Sequence, residues 1–459
     1  MKTIITIFGS TGDLTIRKLL PAINHLLEEN LLPDNTKIFA IGRRDYNTEK
    51  YFEFISNNLQ TKYDLSRLRR HVEYFKLDVD NLKDYQILNT MISGISKEPT
   101  RRIFYLAVGP DLLKDIAENL SKSNLVIKGD TQASVTFEKP FGEDLNSATE
   151  INNLLWQYFD ESQIYRIDHY LGKEMIQNIL TVRFANKIFE NSWNNHAVKS
   201  IRLLVKENEP IFSRAGYYDK SGALKDMVQS HLLQMLALVG MEVPLSYQSE
   251  DLKNEKVEVL KKLRYDSKSL IIGQYEGYLD ELNIPSDSKT ETFVFLKAFV
   301  DTPRFKGVPF YLLTGKALEK KESLIEIEFE ESSQQQKWHL PLQNNILTIQ
   351  IAPLDGISLR LNSKVPGLKD EVEQVELDYC ISCDHVGNMP EAYEKLILDM
   401  NGHHKSLFTG WDEILNSWKF IDQVKTDIER KNIPLTIYKS SKELYDLILE
   451  REGVHFENI

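Results

Sequence analysis

The sequence predicts two folded units in series: a doubly wound α/β unit over residues 1–170, then an α+β unit over residues 171–459 built on a large, mostly antiparallel sheet. Three observations lead there. At 459 residues the chain exceeds what one hydrophobic core ordinarily supports. Its first third repeats a strand-then-helix rhythm, and beyond about residue 200 strand follows strand.

In the first unit, residues 3–8, 37–41, 72–77, 103–108, 134–138 and 164–167 read as strands, separated by helical patterns such as 14–29 and 148–158. That alternation implies a parallel sheet with helices on both faces, whose ligands bind at the carboxyl ends of the strands. In the second unit, residues 201–206, 293–300, 310–314, 324–329, 346–351, 357–361 and 375–379 read as strands joined by polar turns, of which 331–336 is a loop tip. A strongly apolar helix is expected over 224–241. Helices on one face of a broad sheet leave the other face for a homo-oligomer interface.

Composition narrows the function. A net charge of −12 argues against a broad nucleic-acid or anionic-membrane surface, so an anionic substrate needs a local basic cluster. The longest apolar stretch, 232–245, is interrupted by Gln234 and Glu242 and is too short to cross a bilayer. Because Met1-Lys2-Thr3 leads directly into a strand, no signal peptide is expected, and the expected location is the cytoplasm. Cys380 and Cys383 form an isolated C-x-x-C at the end of an alternating run, with no helix start expected after it; they read as reduced thiols without a chemical role. The neighbours His403 and His404 lack the framework of a metal pair, and no metal is expected.

Gly9-Ser10-Thr11-Gly12-Asp13-Leu14 follows the first strand and opens the first helix. Glycine there permits a tight turn and lets a pyrophosphate approach a helix N-terminus, as in a Rossmann-like dinucleotide site, although Asp13 reads equally as a simple N-cap. The second strand ends in Gly42-Arg43-Arg44, where NAD-binding sheets usually carry an acid for the ribose hydroxyls. Two guanidinium groups suit a ribose 2′-phosphate, so the expected cofactor is NADP, with NAD a weaker alternative. The competing reading leaves both arginines on a solvated loop.

Asp168, His169, Tyr170 and Lys173 put a carboxylate, an imidazole, a phenol and an ammonium into six positions at a strand-to-helix junction. The cluster suits an anionic substrate and a proton transfer; the plainer reading is a charged turn with a solvated ion pair. His231 shares a helix face with Leu224, Met227, Val228 and Met235, which reads either as a core histidine or as a base held against the core. Lys139 before Pro140 is forced to be extended and is compatible with a cis peptide.

The run 166–174, together with Gly9 to Leu14, Arg17-Lys18-Leu19-Leu20-Pro21, Glu138-Lys139-Pro140-Phe141-Gly142, Arg183-Phe184-Ala185-Asn186, His231-Leu232-Leu233-Gln234-Met235, Gly307-Val308-Pro309-Phe310, Gly315-Lys316-Ala317-Leu318 and Tyr393 to Asp399, resembles the glucose-6-phosphate dehydrogenases, in the family's order and over nearly the whole chain. The resemblance implies that His231 is the general base and Asp168 its carboxylate partner. It implies that Lys139 contacts sugar hydroxyls and the nicotinamide side, and that His169, Tyr170, Lys173 and Lys316 hold the sugar phosphate. Lys321 stands where the family often has arginine, and Glu209 and Asp226 match acids that bind sugar hydroxyls. Ala352-Pro353 stands where a sugar-contacting glutamine is common, and Phe305 replaces a frequent tryptophan. The function this resemblance implies is oxidation of D-glucose 6-phosphate to 6-phospho-D-glucono-1,5-lactone with hydride transfer to NADP, the first step of the oxidative pentose phosphate pathway, by a homodimer or homotetramer. A related sugar dehydrogenase and a binding protein without turnover are the alternatives.

Overall fold

The computed structural model describes residues 2–59, 64–95, 98–211, 215–338, 343–369, 371–384 and 391–456. Strands are numbered along the chain within those residues. One compact unit comprises residues 1–172, 248–250 and 390–415; the other comprises 173–247, 251–389 and 416–459.

The first unit is a sheet of β1 (Lys2–Phe8), β2 (Lys37–Gly42), β3 (Val72–Lys76), β4 (Thr100–Leu106), β5 (Ala133–Glu138) and β6 (Ile164–Ile167) in the order 6-5-4-1-2-3, all parallel. This is the doubly wound sheet the strand–helix rhythm predicts. Side chains alternate across it: Ile5 and Ile7 enter one apolar cluster, Ile4 and Phe8 the other, so both faces are covered. Residues from far down the chain complete the unit. β15 (Phe408–Thr409) pairs antiparallel with β6, and the helix Ala392–Asn401 sends Leu396, Ile397 and Met400 into the first of those clusters. Buried Arg101 ties the two segments by donating to the carbonyl of Met400 at 2.6 and 3.0 Å.

The second unit is a nine-stranded sheet, mostly antiparallel as expected. It contains β7 (Val198–Lys206), β8 (Leu263–Tyr275), β9 (Phe293–Val300), β10 (Phe310–Gly315), β11 (Glu322–Phe329), β12 (Ile346–Ala352), β13 (Gly356–Lys364), β14 (Val372–Cys380) and β16 (Leu435–Tyr438), in the order 14-13-12-11-7-10-9-8-16. Among the described strands only the β7–β10 and β8–β16 neighbours run parallel. The terminal helix Ser441–Glu452 packs Leu444, Tyr445 and Ile448 against the sheet's aromatic cluster around Tyr275, Phe293 and Tyr438. The edge hairpin β13–β14 leaves Leu377 and Tyr379 about half exposed. Among the described residues no helix is long and apolar enough to cross a membrane.

Three expectations need correction. The polar stretch 331–336 is not all loop, because Ser333–Trp338 forms a helix. Cys380 and Cys383 are not reduced thiols but a disulfide: the chain turns from β14 into the short helix Ile381–Asp384, which brings the two Cα atoms to 5.2 Å. The expected single α-helix over 224–241 is a π-helix at Leu224–Leu232 that continues as the α-helix Leu233–Gly240.

Candidate functional site

The first unit carries its candidate residues on the loops that follow the carboxyl ends of four strands, β1, β2, β5 and β6. After β1, Gly9 has φ of +78°, and a Cβ there would collide with the carbonyl oxygen of Ala107 at the end of β4, so no other residue fits. The carbonyl of Gly9 accepts from the Gly12 N–H at 2.9 Å and from the Thr15 hydroxyl at 3.1 Å, which closes the turn. Ser10 is buried; its N–H donates to Ile41 at 3.0 Å and its carbonyl accepts from the Tyr51 hydroxyl at 3.0 Å. The loop is therefore held from both sides, with Thr11, Gly12 and Leu14 only partly covered. Asp13 does not cap the helix. It is exposed and pairs with Arg17 at 2.6 Å, and the first helical turns, Thr15–Leu19, are of π type. A tight glycine turn leading into a helix start is the shape that admits a pyrophosphate, so these residues fit the dinucleotide.

At the end of β2 both arginines are exposed. The Arg44 guanidinium lies 4.6 Å from the Phe54 ring centre and donates to the Tyr46 hydroxyl at 3.1 Å, so it is already ordered against aromatic surface. Arg43 makes no ion pair among the described residues, a state suited to an incoming phosphate.

β5 ends at Glu138, and the Lys139–Pro140 peptide is cis. Gly142 has φ of +90° and lies so close to Ala148 that a Cβ would overlap its backbone nitrogen. The helix behind it, Leu145–Tyr158, starts with a reciprocal Asp144–Ser147 capping box. Lys139 thus projects from a loop anchored at both ends. β6 leads into Asp168, only 3% exposed, whose Oδ1 accepts from the Tyr170 N–H at 3.0 Å. This turn places the His169 and Tyr170 rings edge to face at 5.2 Å, both partly exposed. Arg166, also in the motif, is structural: it donates to Glu161 and to Asn152 and is itself buried.

The second unit holds the other residues. Lys173 is the N-cap of the helix Glu174–Ala185 and is partly buried. His231 is 1% exposed and lies in the π-helix with Asp226. Five residues are about 1.4 turns of an α-helix, which separates side chains widely, whereas i→i+5 bonding brings residues five apart toward one side. The π turn therefore gathers Asp226 and His231, and such turns often mark functional positions. Past β10, Lys316 pairs with Glu207 and its ammonium sits 5.6 Å over the Tyr218 ring. The Ala317 N–H donates to the carbonyl of Glu209 at 3.3 Å, which brings exposed Glu209 beside this turn. Lys321, at the end of the turn, is exposed, while buried Lys206 is consumed by Glu319 and Glu322 at 3.1 and 2.8 Å. Within this unit Asp226 and His231 share one helix, and Glu209 lies beside the turn after β10 that carries Lys316.

Two residues escaped the sequence reading. Tyr218 is buried, its hydroxyl lacks a partner among the described residues, and it feels the charges of Asp226 and Glu207. No local pattern announces it. Glu138 stands beside Lys139 in a family motif, yet only the fold shows what holds it. Conversely, the motif residue Arg183 is a packing device. It donates to the carbonyls of Leu238 and Met241 at the end of the apolar helix, stacks on Phe184 and Trp193, and is pushed down to about 9 by burial.

Comparison with known proteins places the chain in a family. Residues 6–178 match the family model described as glucose-6-phosphate dehydrogenase, NAD binding domain, and residues 180–455 match its C-terminal domain. The chain belongs to the glucose-6-phosphate dehydrogenase family. It is 38% identical to the glucose-6-phosphate 1-dehydrogenase of Bacillus subtilis, covering 100% of this chain and 99% of the relative, and 36% identical to that of Chlamydia pneumoniae, covering 98% and 95%. A solved glucose-6-phosphate dehydrogenase in complex with its substrate glucose-6-phosphate superposes with a TM-score of 0.91 at 33% identity, covering 99% of this chain and 98% of that one. As a member of this family the chain is an oxidoreductase that uses a nicotinamide dinucleotide.

Proposed function

We propose that the chain oxidises D-glucose 6-phosphate to 6-phospho-D-glucono-1,5-lactone with NADP as hydride acceptor, in the cytoplasm, at the head of the oxidative pentose phosphate pathway. The observation that carries the substrate is the likeness, over 99% of the chain, to a dehydrogenase solved with glucose 6-phosphate. NADP preference is supported by Arg43 and Arg44 at the end of β2, where an acid would serve NAD. Gly9, Ser10, Thr11, Gly12, Asp13 and Leu14 form the pyrophosphate turn. A dinucleotide held there would supply the acceptor for the hydride that leaves the anomeric carbon.

In this reading His231 takes the proton of the anomeric hydroxyl, with Asp168 as its carboxylate partner, fixing the tautomer and stabilising the imidazolium. Lys139 contacts the sugar and the nicotinamide side. His169, Tyr170, Lys173 and Lys316, with Lys321 at the rim, hold the phosphate dianion through charge-assisted bonds, and Glu209 and Asp226 accept from sugar hydroxyls. NADPH formation followed at its absorbance with glucose 6-phosphate, galactose 6-phosphate and free glucose tests the reading: turnover is expected on the first. Binding without turnover on any of the three would make the chain a binding protein instead.

The residues 1–170 serve as the cofactor domain and 171–459 as the substrate and assembly domain. A homodimer or homotetramer is supported by the exposed apolar residues Leu377 and Tyr379 on the edge hairpin of the large sheet. Sedimentation velocity is expected to resolve a species of at least twice the chain mass, and a monomer alone would refute the assembly.

A further inference from the structure

Three side chains converge at the end of β5. Tyr105 of β4 donates its phenolic hydrogen to Oε1 of Glu138, and the phenol of Tyr393, in the helix Ala392–Asn401, acts on the same carboxylate. Phe137 enters the apolar cluster on one side of the sheet, so Glu138 points to the other side, where Tyr105 and Tyr393 pack. The residue as a whole is partly exposed, yet its carboxyl group is enclosed. The groups that face it are Tyr105 from β4, Tyr393 from the late helix, Asp168 from the end of β6 and Lys139 from its own loop. An enclosed carboxylate is costly, and a sheet end needs none for packing. Here two phenols from separate elements, one of them supplied by the segment after residue 390, are spent on holding it.

We propose that Glu138 is a positioning residue for Lys139: held between Tyr105 and Tyr393, its carboxylate fixes the backbone from which Lys139 projects and keeps the ammonium oriented, so that turnover depends on Glu138 being ionised. This rests on the substrate-contact role proposed for Lys139. Burial pushes the Glu138 carboxyl up, and the two phenols and Lys139 pull it back, leaving it at about 7. Its charge is then present above that pH and lost as pH falls through it.

The test is kcat against pH, between about pH 5.5 and 9, for the wild type, Glu138→Gln, Tyr393→Phe and Tyr105→Phe. Glu138→Gln is expected to lower kcat about 10-fold at alkaline pH while the dissociation constant for glucose 6-phosphate changes less than about 2-fold. Tyr393→Phe removes a donor that favours the ionised form and is expected to move the acid limb of kcat up by about half a pH unit or more. The same substitution made in the Glu138→Gln protein is expected to move nothing. Tyr105→Phe removes the donor on the other side and reads the same shift should Tyr393→Phe fail to fold. An acid limb that stays in place when a phenol is removed, or a Glu138→Gln kcat within about 2-fold of wild type, assigns the cluster to packing and overturns the proposal. Lys139→Ala separates the two readings. If it leaves turnover intact, the role of Lys139 fails; if it abolishes turnover while the phenol variants keep the wild-type profile, only the role of Glu138 fails.

Discussion

His231→Ala is expected to lower kcat by about 10³-fold while glucose 6-phosphate still binds within about 3-fold of the wild-type affinity. The asymmetry follows from the role proposed for the residue. Hydride departure from the anomeric carbon requires the attached hydroxyl to lose its proton, and a neutral imidazole is the side chain whose ordinary titration range suits that transfer. In the proposed reading substrate affinity rests instead on the phosphate, held by cations elsewhere in the sequence, so removing the base costs the transition state and not the ground state. His231 is 1% exposed, which makes alanine a cavity as well as a loss of chemistry. His231→Asn, which keeps hydrogen-bonding capacity and most of the volume, is the control: it should be equally slow and thermally closer to wild type. Steady-state kinetics with calorimetric binding decides the matter, and a kcat within about 10-fold of wild type for both variants would remove His231 from the reaction.

Arg43→Ala is expected to raise the KM for NADP about 50-fold and to leave the KM for NAD within about 2-fold. A guanidinium contact to a phosphate dianion is worth about 1.5–3 kcal/mol, and only NADP carries the 2′-phosphate that would use it. Arg43 is exposed and makes no ion pair among the described residues, so its removal breaks none of the described salt bridges. Arg44 is a poorer first choice because it also packs over Phe54 and Tyr46. Equal losses for the two dinucleotides would refute the 2′-phosphate assignment.

Much of the fold is legible in the sequence because β1 to β6 are apolar runs of the right length separated by helical periodicity. Where the signal weakens, so does the reading. β8 begins with the polar half-exposed run Leu263-Arg264-Tyr265-Asp266-Ser267-Lys268 before its buried half, and its outer neighbour β16 is four residues long and parallel, so neither stands out. The π-helix is hidden because Leu224, Met227, Val228 and Met235 satisfy α periodicity over a span too short to distinguish the two. In the site, the residues with distinctive chemistry in the family motifs are legible singly. The partners that hold them are not: Tyr105, Glu138 and Tyr393 are ordinary residues on three separate elements, and only the tertiary fold makes them one group. The C-x-x-C misleads for a related reason, since the turn that brings the two sulfurs together is a backbone fact.

The late-chain segment that completes the first sheet also bears on how the protein is made. A nascent chain leaving the ribosome displays the apolar side of β1, β4 and β6 long before Leu396, Ile397, Met400 and Phe408 exist to cover it. The nucleotide-binding half therefore completes its core only after residues 390–415 have been made, and until then part of that core lacks its last cover.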